Sequence, residues 1–200
     1  MRTETVALYQ FRELDDDAKT AALNNLRDIN VDYPDWHEST TDDAKRMGAI
    51  LGMDITDIYF SGFWSQGDGA CFEGTYNYAK GAAKAIRAEA PQDKELHRIA
   101  DELQALQRRY FYSLTASVKQ RGRYSHEMCT DIRVYRETKY SLVGDVDAQI
   151  DESLTDSLRD FMRWIYRQLE CEYEYLTSEE AVKQSIEANE YEFTANGEFH

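Results

Sequence analysis

Few side chains in this sequence have the type and spacing that covalent or acid–base catalysis requires. The candidate nucleophiles are Ser61, Ser65 and Cys71, and the candidate bases are His37, His97 and His126. No serine lies in a Gly-x-Ser-x-Gly turn. Cys71 falls on a predicted strand rather than at a helix N-terminus, where the pKa of its thiol would be lowered. His97 is expected on the surface or rim of an amphipathic helix. We therefore expect no enzymatic activity and assign no catalytic residue.

The cysteines predict neither disulfides nor a metal site. Cys71, Cys129 and Cys171 are odd in number and widely spaced, without a Cys-x-x-Cys pair, whereas a disulfide framework needs paired cysteines. His126 lies three residues before Cys129, but no second pair completes a four-ligand zinc site. The sequence thus predicts three reduced and mostly buried thiols, a cytoplasmic location, and no metal or other cofactor.

Composition places the chain among acidic globular proteins. Its 200 residues include 38 Asp and Glu against 23 Lys and Arg, a net charge of −15. Aromatic residues make up 12%, which argues against disorder. No apolar run is long enough to span a membrane, and residues 1–4 do not begin a signal peptide. We expect one domain over residues 1–200, with a boundary near 143–146, before a C-terminal helical part, as the alternative.

The charge is distributed unevenly along the chain. Residues 108–139 carry eight basic and three acidic side chains, whereas acidic residues are concentrated in 28–43, 145–160 and 170–198. One interpretation is a solvated acidic surface that serves solubility. The other is a directed negative surface that occupies a basic groove of a partner and accelerates association. Direct nucleic-acid binding is disfavoured, because Lys and Arg supply the affinity for phosphates and this chain carries an excess of acidic residues.

The segment of residues 61–74 is the most unusual one, because it combines glycines with three aromatic residues. It predicts a hairpin with an Asp-Gly turn. Three interpretations remain open. The glycines could serve turn geometry alone, Phe63 and Trp64 could anchor a recognition surface, or backbone amides could form an anion-binding nest. Asp68 would repel an anion and therefore weakens the third interpretation.

The same segment carries a family resemblance. The string Ser-Gln-Gly-Asp-Gly-Ala-Cys-Phe at 65–72 resembles a Gln-Gly-Asp-Gly-x-x-Phe motif of a family common in tailed-phage and prophage genomes. That family is loosely labelled as an antitoxin of a toxin–antitoxin stability system. The opening residues 11–26 fit as well, so the resemblance covers about the first eighty residues. It implies a phage origin and a small protein that acts on host machinery, and it identifies no catalytic residue.

Hydrophobic periodicity predicts an α+β fold: a mainly antiparallel sheet of about five or six strands with helices packed on one face. The predicted strands are 5–11, 55–60, 70–78, 112–118, 129–138 and 191–194. The predicted helices are 15–29, 35–51, 79–89, 93–106, 147–175 and a last one that begins at Ser178.

These features lead to one functional hypothesis and two alternatives. The hypothesis is a phage-encoded acidic protein, cytoplasmic in its bacterial host, that inhibits a host protein or ribonucleoprotein by occupying a basic nucleic-acid-binding surface. Anti-CRISPR, anti-restriction and toxin-neutralising activity belong to this class. The expected partner-binding residues are Phe63, Trp64, Asp68, Glu170, Glu172, Tyr173, Glu174, Tyr175, Glu179, Glu180 and Tyr191. No membrane partner is expected, and no oligomeric state is predicted.

The first alternative is a small-ligand or nucleotide-binding protein that uses the 61–74 hairpin. The second is a nucleic-acid binder that uses the basic segment 108–139, with Tyr112 and Tyr124 available for stacking on bases. The expected phosphate contacts of that second alternative are Arg121, Arg123, Arg133 and Arg136.

Overall fold

The computed structural model describes residues 6–137, 142–143 and 146–200. Its architecture is α+β, as the sequence predicts. The chain divides into two compact units. The smaller unit combines both ends of the chain, Met1–Glu38 and Cys171–His200, and the larger unit is Ser39–Glu170. None of the helices in the described ranges has the length and apolar character needed to cross a bilayer.

The larger unit is organised around an antiparallel sheet of five strands. In spatial order these are β2 (Met53–Ser61), β3 (Gly69–Tyr76), β4 (Leu114–Gln120), β5 (Thr130–Glu137) and β6 (Leu142–Val143). Each strand pairs with its neighbour along the chain, so every connection within the sheet joins adjacent strands. From Leu114 to Val118, strand β4 alternates strictly between buried and partly exposed positions, which is the period-two pattern of a sheet with one covered face.

Four helices contribute to the core of this unit. They are α2 (Glu38–Leu51), α3 (Ala82–Glu89), α4 (Lys94–Arg109) and α5 (Ala148–Leu176). Phe72 of β3 meets Phe161 of α5 edge-on, with ring centroids 6.1 Å apart, and Phe161 stacks on Trp164. On α4, the buried residues recur every three or four positions, which produces one apolar face toward the sheet.

Asp93 connects the beginning of α4 to α5. Its Oδ1 accepts a hydrogen bond from the amide of Leu96 at 2.9 Å and caps the helix. Its Oδ2 accepts from the indole Nε1 of Trp164 at 2.6 Å. One carboxylate therefore both starts a helix and satisfies a largely buried donor.

The smaller unit is held together by pairing between the two ends of the chain. Strand β1 (Tyr9–Gln10) runs antiparallel to β7 (Glu192–Phe193). Helices α1 (Asp16–Asn25) and α6 (Glu179–Ala188) belong to the same unit. Its separate core comprises Phe11, Leu14, Ala18, Ala22, Val182, Ile186 and Phe193. Phe11 and Phe193 touch edge-on with their ring centroids 6.3 Å apart.

Several element boundaries differ from the sequence predictions. The strand predicted at 5–11 shortens to two residues and continues as a 3-10 helix, Phe11–Glu13, because Phe11 turns into the small core. Thr5 lies outside the described residues. The helix predicted from residue 35 begins at Glu38, after a turn in which the amide of Glu38 donates to the Asp35 carbonyl at 2.9 Å.

Tyr112 lies in a turn before β4 rather than on a strand. The last residue of the strand predicted at 129–138 lies outside the described residues. The single domain over 1–200 stays a prediction, and so does the alternative boundary near 143–146, of which residues 144 and 145 lie outside the described ranges. The boundaries between the two compact units fall elsewhere in the sequence, between residues 38 and 39 and between residues 170 and 171.

Candidate interaction surfaces

Charge is strongly segregated between the two units. The smaller unit has 17 acidic and 5 basic residues, a net charge of −12. The larger unit has 21 acidic and 18 basic residues, a net charge of −3, although it contains nearly twice as many residues. The acidity of the chain therefore resides mainly in the unit formed by its two ends.

Many carboxylates of the larger unit form ion pairs with basic residues of the same unit. Arg98 contacts Glu95, Glu102 and Asp160 at 2.6 to 2.7 Å. Burial alone would raise the pKa of Asp160, but hydrogen bonds from Arg98 and Arg163 outweigh it and hold that pKa below its ordinary value. The hydrogen bond from Arg98 likewise lowers the pKa of Glu95. These carboxylates are neutralised locally.

The acidic residues of the smaller unit are arranged differently. Glu172 and Glu174 lie near the end of α5, and Glu179 lies in the first turn of α6. None of these three has a described Lys or Arg within ion-pair distance. Glu180, beside Glu179, accepts a hydrogen bond from the amide side chain of Gln184 at 2.9 Å. Negative charge in the first turn of α6 is favoured by the helix dipole, so the fold tolerates this concentration of carboxylates.

Three of the five basic residues of the smaller unit line one cavity of about 390 Å³. These are Arg12, Lys19 and Lys183, and Phe11 and Leu23 contribute apolar surface beside them. The last residues of α5, from 171 to 176, and the first turn of α6 contain acidic but no basic side chains.

The predicted aromatic contacts of the smaller unit differ in exposure. Tyr175 is 62% exposed. Tyr173 packs edge-on against Trp36 with a centroid distance of 5.8 Å, and burial followed by the charge of Asp28 raises the pKa of its hydroxyl. Tyr191 contacts Phe199 at 4.9 Å. Tyr175 is thus the ring among them with the most area available to a partner.

The 61–74 hairpin forms, and its turn has a defined structure. Phe63 packs against Tyr166 of α5 at 5.5 Å and against Phe60 at 6.3 Å. Trp64, the next residue, has a φ of 70° and is 63% exposed. Asp68 Oδ2 accepts a hydrogen bond from the Ser65 amide at 2.8 Å. The Asp68 carboxylate therefore already binds the Ser65 amide, which an anion-binding nest would need as a free donor.

The predicted partner-binding residues are divided between the two units. Phe63, Trp64, Asp68 and Glu170 belong to the larger unit. The others, Glu172, Tyr173, Glu174, Tyr175, Glu179, Glu180 and Tyr191, belong to the smaller one. Within the smaller unit, the residues from 172 to 180 lie on one helix end and the beginning of the next.

The four arginines predicted for nucleic-acid contact do not form one patch. Arg121 and Arg123 lie in the connection between β4 and β5, where Arg123 sits over the Tyr124 ring at 5.0 Å. Arg133 pairs with Asp131 at 3.0 Å. Arg136 lies at the opposite end of the hairpin, a distance of about 20 Å for strands of this length. Lys139, the last basic residue of the predicted segment, lies outside the described residues.

A turn that sequence reasoning missed follows α4. Phe111 and Tyr112 have φ values of 54° and 62°, and Phe111 is 81% exposed. The sequence offers no signal for it, because the run Arg-Arg-Tyr-Phe-Tyr at 108–112 contains neither glycine nor asparagine. Glycine and, less often, asparagine are the residues that usually adopt the left-handed conformation at a helix end.

Two of the candidate catalytic side chains, Cys71 and His97, have well-defined surroundings. Cys71 is buried, and burial raises the pKa of its thiol to about 11, with further contributions from Cys129 and Glu73. Of the three thiols predicted to be mostly buried, Cys129 is only half-buried and Cys171 is exposed. His97 Nε2 is 2.8 Å from the carbonyl oxygen of Ala90. Within the described ranges, no group of three or more His, Cys, Asp or Glu side chains is placed to hold a metal ion.

These features define an α+β protein in which a five-stranded antiparallel sheet with covering helices is accompanied by a strongly acidic second unit. The chain belongs to a family described as Domain of unknown function (DUF8835), whose model matches residues 36–179. The matched range contains the whole larger unit and only short parts of the smaller one. No curated protein and no solved structure matches the chain.

Proposed function

We propose that the protein binds a basic surface of another protein or ribonucleoprotein through its smaller unit and thereby blocks that surface. The observation that carries this proposal is the charge segregation, −12 in the smaller unit against −3 in the larger one. Complementary potentials accelerate association and exclude partners of the wrong sign.

The contact surface in this proposal is the end of α5 and the beginning of α6. Glu172, Glu174, Glu179 and Glu180 supply negative charge, and Tyr175 supplies an exposed ring. Interface energy is concentrated in a few aromatic and charged residues. A basic nucleic-acid-binding surface fits this combination, because it presents cations to phosphates and flat surface to bases.

The resemblance of 65–72 to the phage and prophage family directs the proposal toward a host target. A defence complex that binds nucleic acid, or a toxin with a basic surface, has the required charge. In either case the protein acts as an inhibitor that competes with nucleic acid. A small-ligand role for the 61–74 hairpin has less support, because Asp68 and Phe63 engage the chain itself.

The test uses two variants with the same change in net charge. In the first, Glu172, Glu174, Glu179 and Glu180 become Gln; in the matched control, the exposed Asp42, Asp54 and Asp57 become Asn and Glu152 becomes Gln. Partners captured by the tagged wild-type chain from host lysate are purified and their association rates are measured at several salt concentrations.

We expect the first variant to associate roughly tenfold more slowly and the control to behave like wild type, because only a local surface is engaged. Added single- or double-stranded nucleic acid should release the partner. Equal rates for both variants, or binding that ignores salt and nucleic acid, would refute the proposal.

A further inference from the structure

The turn after α4 holds two non-glycine residues in the left-handed conformation. Phe111 has a φ of 54° and Tyr112 a φ of 62°. The Tyr112 amide donates to the Gln107 carbonyl at 2.7 Å, and the Phe111 amide donates to the Arg108 carbonyl at 3.4 Å. This is the Schellman pattern of a helix end, in which glycine usually occupies the position that Phe111 holds here.

The Phe111 ring contributes little packing that would offset this backbone strain. The residue is 81% exposed, so its side chain buries almost no apolar area that could offset an unfavourable backbone conformation. Strained residues that persist without a packing role are concentrated at functional sites. The chain therefore holds an aromatic ring in solvent at a position where a glycine would fit the backbone better.

Three arginines lie at this turn. Arg108 and Arg109 end α4, and Arg136 Nε donates to the Ser113 hydroxyl at 3.3 Å. The carbonyls of Leu106, Gln107 and Arg108 already accept backbone amides, so the guanidinium groups are not needed to cap the helix. None of the three arginines is ion-paired to a carboxylate of the described residues, and Glu137 is the acidic neighbour of Arg136 in the chain.

Further rings lie beside Phe111. Tyr112 lies against Tyr78 with a centroid distance of 4.5 Å, and the Arg109 guanidinium lies 5.9 Å from the centre of the Tyr110 ring. The surface thus combines exposed rings with cations, in a unit whose net charge is only −3. Proteins that bind single strands use this combination: rings stack on bases and cations track the backbone.

We propose that the turn at 108–113, together with Tyr78 and Arg136, binds single-stranded nucleic acid. Bases stack on Phe111 and Tyr112, and phosphates pair with Arg108, Arg109 and Arg136. The site lies entirely within the larger unit, which the family model covers. It is distinct from the acidic surface of the smaller unit, so either proposal can fail without the other.

The test measures fluorescence anisotropy of labelled oligo-dT and oligo-rU of roughly 12 nucleotides, a length within the usual site sizes. The full chain is titrated into the probe at about 50 mM salt and again at higher salt. We expect saturable binding of single strands, weaker binding of a duplex of the same length, and loss of affinity as salt increases.

Three variants locate the site. Phe111→Gly relieves the backbone strain and should weaken binding about tenfold, within the range for one stacked base. Arg108→Gln with Arg109→Gln should weaken binding and reduce its salt dependence. The matched control, Arg121→Gln with Arg123→Gln and Tyr124→Ala, removes the same chemistry from the other end of the hairpin and should leave affinity unchanged.

Two outcomes overturn the proposal. One is the absence of any anisotropy change for wild type at low salt, which is also the result if the turn recognises an acidic protein instead. The other is an equal loss of affinity in the control and the site variants, because diffuse attraction to basic residues would then explain the binding. Variants of Glu172 and Glu179, which belong to the smaller unit, should bind the oligonucleotides as wild type does.

Discussion

Gln107 is hydrogen-bonded through its side chain to both backbone groups of Leu114. Its Nε2 donates to the Leu114 carbonyl at 2.7 Å, and its Oε1 accepts from the Leu114 amide at 3.2 Å. The same Nε2 lies 3.2 Å from the Tyr76 hydroxyl. Gln107 is fully buried on α4, and Leu114 begins β4. This pair therefore closes the turn that presents Phe111.

Replacing Gln107 with Leu should destabilise the protein by about 3 kcal/mol, because the buried amide and carbonyl of Leu114 lose their partners. Urea unfolding monitored by circular dichroism measures the change. Gln104→Leu, one turn earlier on the same helix, is the control and should shift the free energy of unfolding by less than about 0.5 kcal/mol. Similar losses of stability in both variants would mean that the buried hydrogen bonds of Gln107 do not account for the effect.

Replacing Phe111 with Gly should stabilise the protein by about 0.5–1 kcal/mol. The left-handed backbone at Phe111 costs a non-glycine residue about 1–2 kcal/mol, of which the greater flexibility of unfolded glycine cancels a part. The midpoint of urea unfolding should therefore rise. Tyr124→Gly, at an exposed position without positive φ, should leave stability unchanged or lower it. A lower midpoint for Phe111→Gly would show that the ring supports the fold.

Stability should decrease in acid through the ion pairs of Arg98. The pKa values of Asp160 and Glu95 are lower in the folded protein than their ordinary values. Such carboxylates stabilise the fold above their unfolded pKa and lose that contribution as the pH falls through the folded pKa. We expect the free energy of unfolding to decline below about pH 4.

Asp160→Asn should be less stable than wild type at neutral pH and show a flatter decline in acid, since it removes one titrating group. Glu152→Gln, an exposed change without an ion pair, is the control and should follow the wild-type curve. An unchanged acid profile in Asp160→Asn would contradict the role of this ion-pair network.

The three thiols should react with alkylating reagents in a fixed order. Cys171 is exposed, whereas burial of Cys71 raises the pKa of its thiol to about 11. At about pH 8, the reactive thiolate of Cys71 is then roughly one part in a thousand. Peptide mass spectrometry after brief alkylation should show Cys171 modified first and Cys71 only after unfolding. Cys171→Ser should remove the fast phase, and comparable rates at Cys71 would contradict its burial.

Helices and strands with sustained periodicity were predictable. Helix α5, predicted at 147–175, spans Ala148–Leu176, because its apolar residues recur every three or four positions without interruption. The alternation along β4 likewise predicted a strand with one covered face. In both elements the burial pattern is long enough to override local propensity.

Two features of the structure could not be predicted from local sequence patterns. The strands at both ends and the acidic segments were visible in the sequence, but β1 and β7 pair over only two residues each across a wide separation along the chain, so no local pattern predicted that these segments form one unit. Similarly, Phe111 adopts a glycine-type conformation that its residue type disfavours. Burial of Gln107 and its bonds across the turn impose that conformation, and those contacts are visible only in three dimensions.

The β1–β7 pairing also sets an order of events during synthesis. Tyr9 leaves the ribosome early, but its partner Phe193 emerges only after the larger unit has been translated. The acidic unit is therefore completed only after the larger unit has been translated, and a nascent chain that has not reached residue 193 lacks the strand that pairs with β1. A protease cut or an early stop codon before residue 192 should remove β7 and Phe193 from the core of this unit in one step.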